Sequence, residues 1–480
     1  MKKWKLFLTV CLQICLVSVS FSQDKWDLKR SVEYALANNI SVKQADVQAR
    51  IAALNLNQSR LQQIPTLGFD GSLGLNNGRT QNPADFSAVN ETNVAGSFSL
   101  SSSVTLFNWF RIKNTIAANR LEAEASKTNI DKVKNDISLN VAAAYLQALL
   151  NKEQVSASEL QVKLTLAQLE NTRKLVIAGS VPELNAAELE AQLARDSATL
   201  VGTQQTAAVS LLQMQALLNL DAAQPFDIAA PPVELIPVEP LSELQPEAVF
   251  QLAMANMPLQ RVNQLRVEAA NKNVAATRGA MMPALSAYAR MGTAYNNNYL
   301  EPYGKIPYAG IDSSASVKIA NQTYKVFAPF AGELNMIRNP GFFQQLDKAF
   351  GQSIGLSLAI PIFNQGQLRT QHNRAKLDLR NTELQQELDN QTLKQDIYKA
   401  YTEATASFQK YIAGNKSVET SQKAFDFATK RYNIGLLNTI DLLTNQNNLF
   451  KAKIDKLTAQ YDYVFKLKVL EFYKGQGIKL

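Results

Sequence analysis

Four short stretches of the chain alternate apolar residues with small or polar ones. In 66–75, Leu67, Phe69, Leu73 and Leu75 alternate with Thr66, Gly68, Asp70, Ser72 and Gly74. In 97–107, Phe98, Leu100, Val104 and Leu106 alternate with Ser97, Ser99, Ser101, Ser103 and Thr105. Ile354, Leu356, Leu358, Ile360 and Ile362 repeat the pattern in 352–362, and Leu285, Ala287, Ala289 and Met291 give a weaker version in 285–295. A period of two over ~10 residues predicts strands with one apolar and one polar face, as in a membrane barrel or a soluble sandwich. Four strands fall short of the ~8 needed to close a membrane barrel, so a barrel would have to be shared between copies.

Residues 109–178 and 365–432 contain no proline and read as helix almost throughout. Seventy helical residues span roughly 105 Å, far beyond an ordinary globular helix. Ile130, Val133, Ile137, Val141, Ala144 and Ala148 are spaced by threes and fours, close to the 11-residue repeat of a nearly straight coil. Beyond Gly435, a heptad stripe runs through Ile440, Leu443, Asn447, Phe450, Ile454, Leu457, Tyr461 and Val464. The equivalent positions from Leu184 onward are mostly alanine, which allows close helix approach.

These patterns occur twice. Leu106-Phe107-Asn108 superposes on Ile362-Phe363-Asn364 at an offset of 256, which also carries Ala144-Tyr145 onto Ala400-Tyr401 and Gly179 onto Gly435. Upstream, Ala37-Asn38 matches Ala255-Asn256 and Pro65 matches Pro283 at an offset of 218. Each half reads as helix, strand, loop, strand, long helix, turn, helix. The division is a first repeat over 23–220, a linker over 221–246 containing six prolines, a second repeat over 247–475 and a tail over 476–480. The second repeat has 38 extra residues in an extended segment, 296–351, rich in Tyr and Phe. That content predicts a packed loop, a lid or a receptor surface.

Residues 1–22 read as a secretory signal peptide: Lys2, Lys3 and Lys5 precede an apolar run from Leu6 to Val19, and Ser20-Phe21-Ser22 fits a cleavage site. Both cysteines, Cys11 and Cys15, lie inside it. Ile14 makes Cys15 a poor lipidation site. Beyond the leader, 46 cations face 41 acids without a basic cluster, so nothing supports a nucleic-acid partner. His372 is the one histidine and reads as a solvated surface residue. With no Cys beyond the leader, no P-loop and no G-x-S-x-G elbow, the chain predicts no catalytic residue, no metal site and no cofactor.

The most distinctive local features are two turns between long helices. Gly179 ends one helix, Ser180 is positioned to cap the next, and Pro182 and Glu183 fall in its first turn. Gly435 ends the other, with Asn438 or Thr439 as the following cap and Asp441 in the first turn. Backbone conformation and the helix dipole are sufficient to explain each residue.

Trp26-Asp27-Leu28 through Ala35-Leu36-Ala37-Asn38-Asn39, Pro65, Leu106-Phe107-Asn108-Trp109, and Arg431-Tyr432-Asn433-Ile434-Gly435 with Asp441-Leu442-Leu443 and Gln446 occur in the order of a known family. Over about 26–475 the chain resembles the TolC outer-membrane efflux family. The resemblance implies a mostly α fold with a membrane β-barrel portion: a homotrimer in which each chain gives four strands to a 12-stranded barrel, continued by a coiled-coil tunnel. It implies an outer-membrane channel for efflux or type I secretion, set in outer-membrane lipid with its tunnel in the periplasm. The implied partners are a periplasmic adaptor (membrane fusion) protein and an inner-membrane pump.

On this resemblance Gly179, Ser180, Val181, Pro182, Gly435, Leu436, Leu437 and Asn438 form the adaptor-facing tip turns, and Asp441 and Thr444 the tunnel-entrance constriction. Many relatives carry a second acid where this chain has Thr444, so weaker block by multivalent cations is expected. Two alternatives from other classes are a soluble periplasmic coiled-coil scaffold and a barrel-anchored surface protein that binds through 296–351.

Overall fold

The computed structural model describes residues 25–81, 88–229, 236 and 239–476. The leader 1–22, much of the proline-rich linker and the tail beyond 476 lie outside the described residues. The first repeat consists of α1 (Leu28–Asn38), α2 (Ile40–Leu61), β1 (Thr66–Gln81), β2 (Ala88–Phe107), α3 (Arg111–Ile177) and α4 (Glu183–Leu218). The second runs α5 (Pro246–Asn256), α6 (Pro258–Gly279), β3 (Ala284–Asn296), an insertion, β8 (Gly351–Ala359), α8 (Gln367–Asn433) and α9 (Thr439–Glu471). The insertion holds β4 (Glu301–Asp312), β5 (Ser316–Ile319), β6 (Gln322–Lys325), β7 (Ala328–Arg338) and α7 (Phe342–Lys348).

The duplication is kept to the residue. Both α3 and α8 have 67 residues and begin 256 positions apart. The pairs α1/α5 and α2/α6 both obey the 218 offset. Two helices precede the strands in each half where one was expected. In the first half the break is at Asn39, whose extended backbone ends α1 while its side-chain amide donates to the Leu217 carbonyl at 2.9 Å. The break is also local: Asn39 Oδ1 accepts from Ser41 N at 2.8 Å and so caps α2.

Contacts divide the chain into two units. One comprises the residues up to Asn55, Ala118–Asn271 and those from Lys376 onward. Its core repeats with the sequence: Val141 and Ile397, Ala148 and Ala404, and Ala35 and Ala253 are each buried. Tyr145, Leu149, Met214, Leu218 and Ile228 fill the core of the first repeat. Leu244, Val249, Ile397, Leu467 and Leu470 fill that of the second. The seam of α9 differs from the heptad stripe. Leu442 and Leu449 pack with Phe425 and Tyr432 of α8, whereas Leu443 packs with Leu169 and Leu189. Because α9 faces two neighbours, Ile440 is left exposed.

The other unit, Leu56–Ala117 and Lys272–Ala375, carries an antiparallel sheet ordered β1-β2-β3-β8. Its register separates two faces. One row reads Gly68, Ser101, Arg290, Ser353 and another Thr66, Ser103, Tyr288, Gly355. On the opposite face, Phe69, Leu100 and Met291 share a row, and Leu67, Ala289 and Ile354 another. These apolar side chains are open to the surroundings, with Leu67 74% and Ile354 87% exposed. A bulge between Thr105 and Phe107 brings Phe107 opposite Leu285, and so onto the apolar face, where simple alternation predicted Leu106. No described helix is long and apolar enough to cross a membrane.

The segment 296–351 is a hairpin rather than a packed loop. β4 pairs with β7, and β5 with β6. Tyr303, Tyr308, Phe327, Phe330 and Phe343 are exposed in the chain. Its base is held by Glu301, which accepts from Arg338 at 3.0 Å and also from Lys348. The Lys348 bond and charge, joined by Arg338, hold the Glu301 carboxyl below its ordinary range. His372 is buried rather than solvated, with Nδ1 3.2 Å from Thr277 Oγ1.

Trp26 and Ile228 form a lone parallel bridge that ties the start of the first repeat to the strand-like segment after α4. Tyr145 fastens it, donating to the Ala229 carbonyl at 2.7 Å from the middle of α3. Burial pushes its phenol well above the usual range, so the hydroxyl remains a donor. At Asp227, burial alone would raise the carboxyl, but the Lys152 hydrogen bond and charge prevail and lower it. That pair therefore stabilises the fold above the ordinary carboxylate range and loses its contribution as pH falls through the lowered value. Tyr145→Phe removes the bond without changing the packing. It should destabilise the protein by about 1 kcal/mol, read as a lower unfolding midpoint in detergent, and an unchanged midpoint would show the bond to be dispensable.

Candidate functional site

Both inter-helix turns are built the same way. Gly179 has φ +69° and Gly435 φ +75°, the left-handed region that glycine enters without a Cβ penalty. Gly179 N donates to Val176 O and Ser180 N to Leu175 O, both at 2.9 Å. Gly435 N to Tyr432 O and Leu436 N to Arg431 O repeat the pair at 2.9 Å. These are Schellman closures, which satisfy carbonyls left open by the helix end.

The starts of the return helices differ. Asn438 caps α9, its Oδ1 accepting from Asp441 N at 2.7 Å. The cap of α4 is Pro182, which makes no side-chain bond, so Ser180 does not cap as expected. It is used instead as the second residue of the Schellman closure. Thr439, the other candidate cap, is buried.

Asp441 and Thr444 lie on consecutive turns of α9 and both are exposed. Thr444 Oγ1 donates back to the Ile440 carbonyl at 2.8 Å, and Asn445 donates to the Asp441 carbonyl at 2.8 Å. The Asp441 carboxylate therefore sits at a helix start, where the dipole favours negative charge. Around the turns, Ile177, Leu184, Ile434, Leu436 and Ile440 are exposed apolar residues, while Leu437 packs on the Phe425 cluster.

Sequence reasoning missed the polar node behind these turns. Asp196 of α4 is buried and accepts from Thr165 Oγ1 at 2.6 Å, Gln192 Nε2 at 2.7 Å and Gln161 Nε2 at 3.4 Å. Gln446 of α9 joins by donating to Thr165 Oγ1 at 2.8 Å, and Gln192 reaches Asn447 Oδ1 at 3.3 Å. Nearer the turn, Thr172 and Tyr432 share a buried hydrogen bond of 3.0 Å between α3 and α8. The signal was present in the spacing. Gln192 and Asp196 follow the buried Leu189 at three and seven residues, on its inward face.

No group of three or more His, Cys, Asp or Glu arranged to hold a metal occurs among the described residues. The arrangement carries no nucleophile–base pair. What it offers is a pair of equivalent, rigidly closed turns with apolar rims and an exposed carboxylate.

Comparison with known proteins identifies the fold that carries these turns. The outer membrane efflux protein family matches residues 32–220 and 341–476, well over half of the chain. The outer membrane efflux protein BepC of Brucella suis is 21% identical over 435 residues, covering 90% of this chain and 81% of that one. The outer membrane protein TolC of Escherichia coli is 21% identical over 468 residues, covering 96% and 84%. Among solved structures, CusC superposes with a TM-score of 0.74 at 17% identity, over 93% of this chain and 91% of that one. The twofold repeat, the four-stranded sheet and the paired long helices are thus those of a shared fold, and the chain belongs to the outer membrane efflux protein family as a transport channel, not an enzyme.

Proposed function

We propose that three copies of this chain close their sheets into one 12-stranded barrel in the outer membrane, continued by the long helices as a tunnel in the periplasm. The Gly179 and Gly435 turns then form its far end and meet a periplasmic adaptor and an inner-membrane pump, with efflux or secretion through the bore. The observation that carries this is the sheet. It has an exposed apolar face, a hydroxyl- and glycine-lined opposite face, and two edges, β1 and β8, with no strand partner among the described residues. In hydrocarbon such edges must be paired, and a sheet of four strands pairs them by closing with its own copies.

The apolar rims of the two turns supply the adaptor contact, and Asp441 with Thr444 lines the entrance. The β4–β7 hairpin lies on the outer side as a lid. Asp196 braces the tip by holding α3, α4 and α9 in one register.

The mass of the detergent-extracted protein, measured by light scattering, tests the assembly. About three chains per particle, taken from the outer-membrane fraction, is the expected result. A water-soluble monomer would transfer the reading to a periplasmic scaffold.

Asp441→Asn should weaken block of the reconstituted channel by multivalent cations applied from the helical side. Equal block in the variant and the unmodified channel would remove Asp441 from the constriction. Asp196→Ala leaves three buried donors without their acceptor and should cost about 2–3 kcal/mol, lowering the unfolding midpoint by several degrees. Asp196→Asn, which keeps one carbonyl acceptor, should lose less. If both variants unfold with the native protein, the node is not a brace.

A further inference from the structure

The short segments where the sheet meets its helices are 56–69, 106–117, 272–283 and 362–375. They contain seven Lys or Arg and no Asp or Glu. All seven are exposed. Arg111 lines a cavity of about 580 Å³ of mixed polar and apolar lining, with Thr66, Ser103, Thr105 and Ser286 among its walls. Lys113 lies two residues on, about 200° around the helix, and so points the other way. Its Nζ stands 5.7 Å from the centre of the Phe110 ring.

Phe110 belongs to an aromatic group continuous with the apolar face. The bulge places Phe107 there, and Trp109 packs on it tilted at 5.6 Å and Phe110 edge-on at 5.8 Å between ring centres. Trp109 and Phe110 both hold positive φ, +50° and +60°. Consecutive bulky residues in the left-handed region are strained, and such strain persists where structure or function requires it. The duplicate positions, Gln365 and Gly366, adopt the same conformation without aromatic side chains. The turn geometry therefore does not need the rings. The first repeat alone bears the strain of two aromatics, at a place where Gly279 lies so close that an added Cβ would be 2.9 Å from the Trp109 carbonyl oxygen. That approach sets the end of α6, where exposed Arg278 lies, against the backbone of the 109–111 turn.

An apolar face that ends in aromatic rings and then in cations without acids has the chemistry of a membrane interface. We propose that Trp109 and Phe110, with Lys113 and Arg278, form a docking surface for the headgroups of anionic phospholipids in the membrane leaflet on the helical side. The rings lie at the glycerol level and the two cations pair with the phosphate. Charge complementarity and continuity with the apolar sheet face select a lipid over a soluble anion, since a free phosphate would gain nothing from the exposed rings. The proposal rests on the reading of the sheet as membrane-spanning.

The test uses the full chain, purified in detergent, exposed to dioleoyl phosphatidylglycerol or dioleoyl phosphatidylcholine and read by native mass spectrometry. The protein should retain phosphatidylglycerol in preference, and Lys113→Gln with Arg278→Gln should reduce that preference about tenfold or more. The pair Lys113→Arg with Arg278→Lys should keep it, as should Lys305→Gln with Lys325→Gln in the distant hairpin. Trp109→Gly with Phe110→Gly should lower retention while raising the unfolding midpoint.

Equal retention of the two lipids by the unmodified protein, or an undiminished preference in the glutamine pair, would overturn the proposal. Displacement of the lipid by millimolar inorganic phosphate would do so too, by revealing a free-anion site. Insertion of the unmodified protein into phosphatidylcholine vesicles separates the two readings. Insertion without a lipid preference defeats the docking surface alone, whereas failure to insert into vesicles of any composition overturns the membrane-spanning reading together with it.

Discussion

An open sheet cannot remain open in hydrocarbon. Every unpaired backbone N–H or C=O along β1 and β8 would cost several kcal/mol without water to bond it. The apolar face, with Leu73, Leu75, Leu356 and Leu358 exposed, is equally out of place in water. These two demands fix most of the remaining design. In the proposed assembly the sheet meets both by closing through copies of itself, with its Ser- and Gly-rich face turned to the bore.

The duplication distributes different tasks over one plan. Core positions are interchangeable between the repeats: Val141 and Ile397, or Ala35 and Ala253, are buried alike because both packings must be dry. Surface positions are free to diverge. Trp109-Phe110 and Gln365-Gly366 share a backbone conformation but not a chemistry, and the insertion between β3 and β8 has no counterpart between β1 and β2. Pro182 and Asn438 begin equivalent helices with different caps.

How much of this was legible in the sequence depended on the range of the interaction responsible. The offsets of 218 and 256, both long helices, both glycine turns and four alternating strands follow from local pattern, and the elements begin at the expected spacing. The break at Asn39 had a local signal, an asparagine cap accepting from Ser41 N, and its amide is further held by a carbonyl 178 residues away. The bulge before Phe107 was hidden because a single inserted residue leaves the surrounding alternation intact. The insertion did not read as strands because Pro302, Pro307 and Pro329 interrupt its pattern. His372 looked solvated among charged neighbours, yet its contact is Thr277 on another helix. At the tip, the turn residues were readable from backbone chemistry, and spacing from Leu189 marks Gln192 and Asp196 as inward-facing, but their partners Thr165 and Asn447 emerge only from the fold.

The polar face of the sheet bears on how such a channel treats its cargo. Rows such as Gly68, Ser101, Arg290, Ser353 contain one charge among groups too small to form a fitted pocket. Serine hydroxyls satisfy themselves with water or with one another, as Ser72 and Ser97 do at 2.8 Å across β1 and β2. A wall of this kind stays wet and offers solutes no apolar contact to hold them. In the proposed channel such a wall discriminates by charge more than by shape, through isolated residues such as Arg290 in the Gly68, Ser101, Ser353 row. On that proposal, selection among chemically different cargoes falls to whatever delivers them, and the Gly179 and Gly435 turns are the part of the chain where specificity would be built.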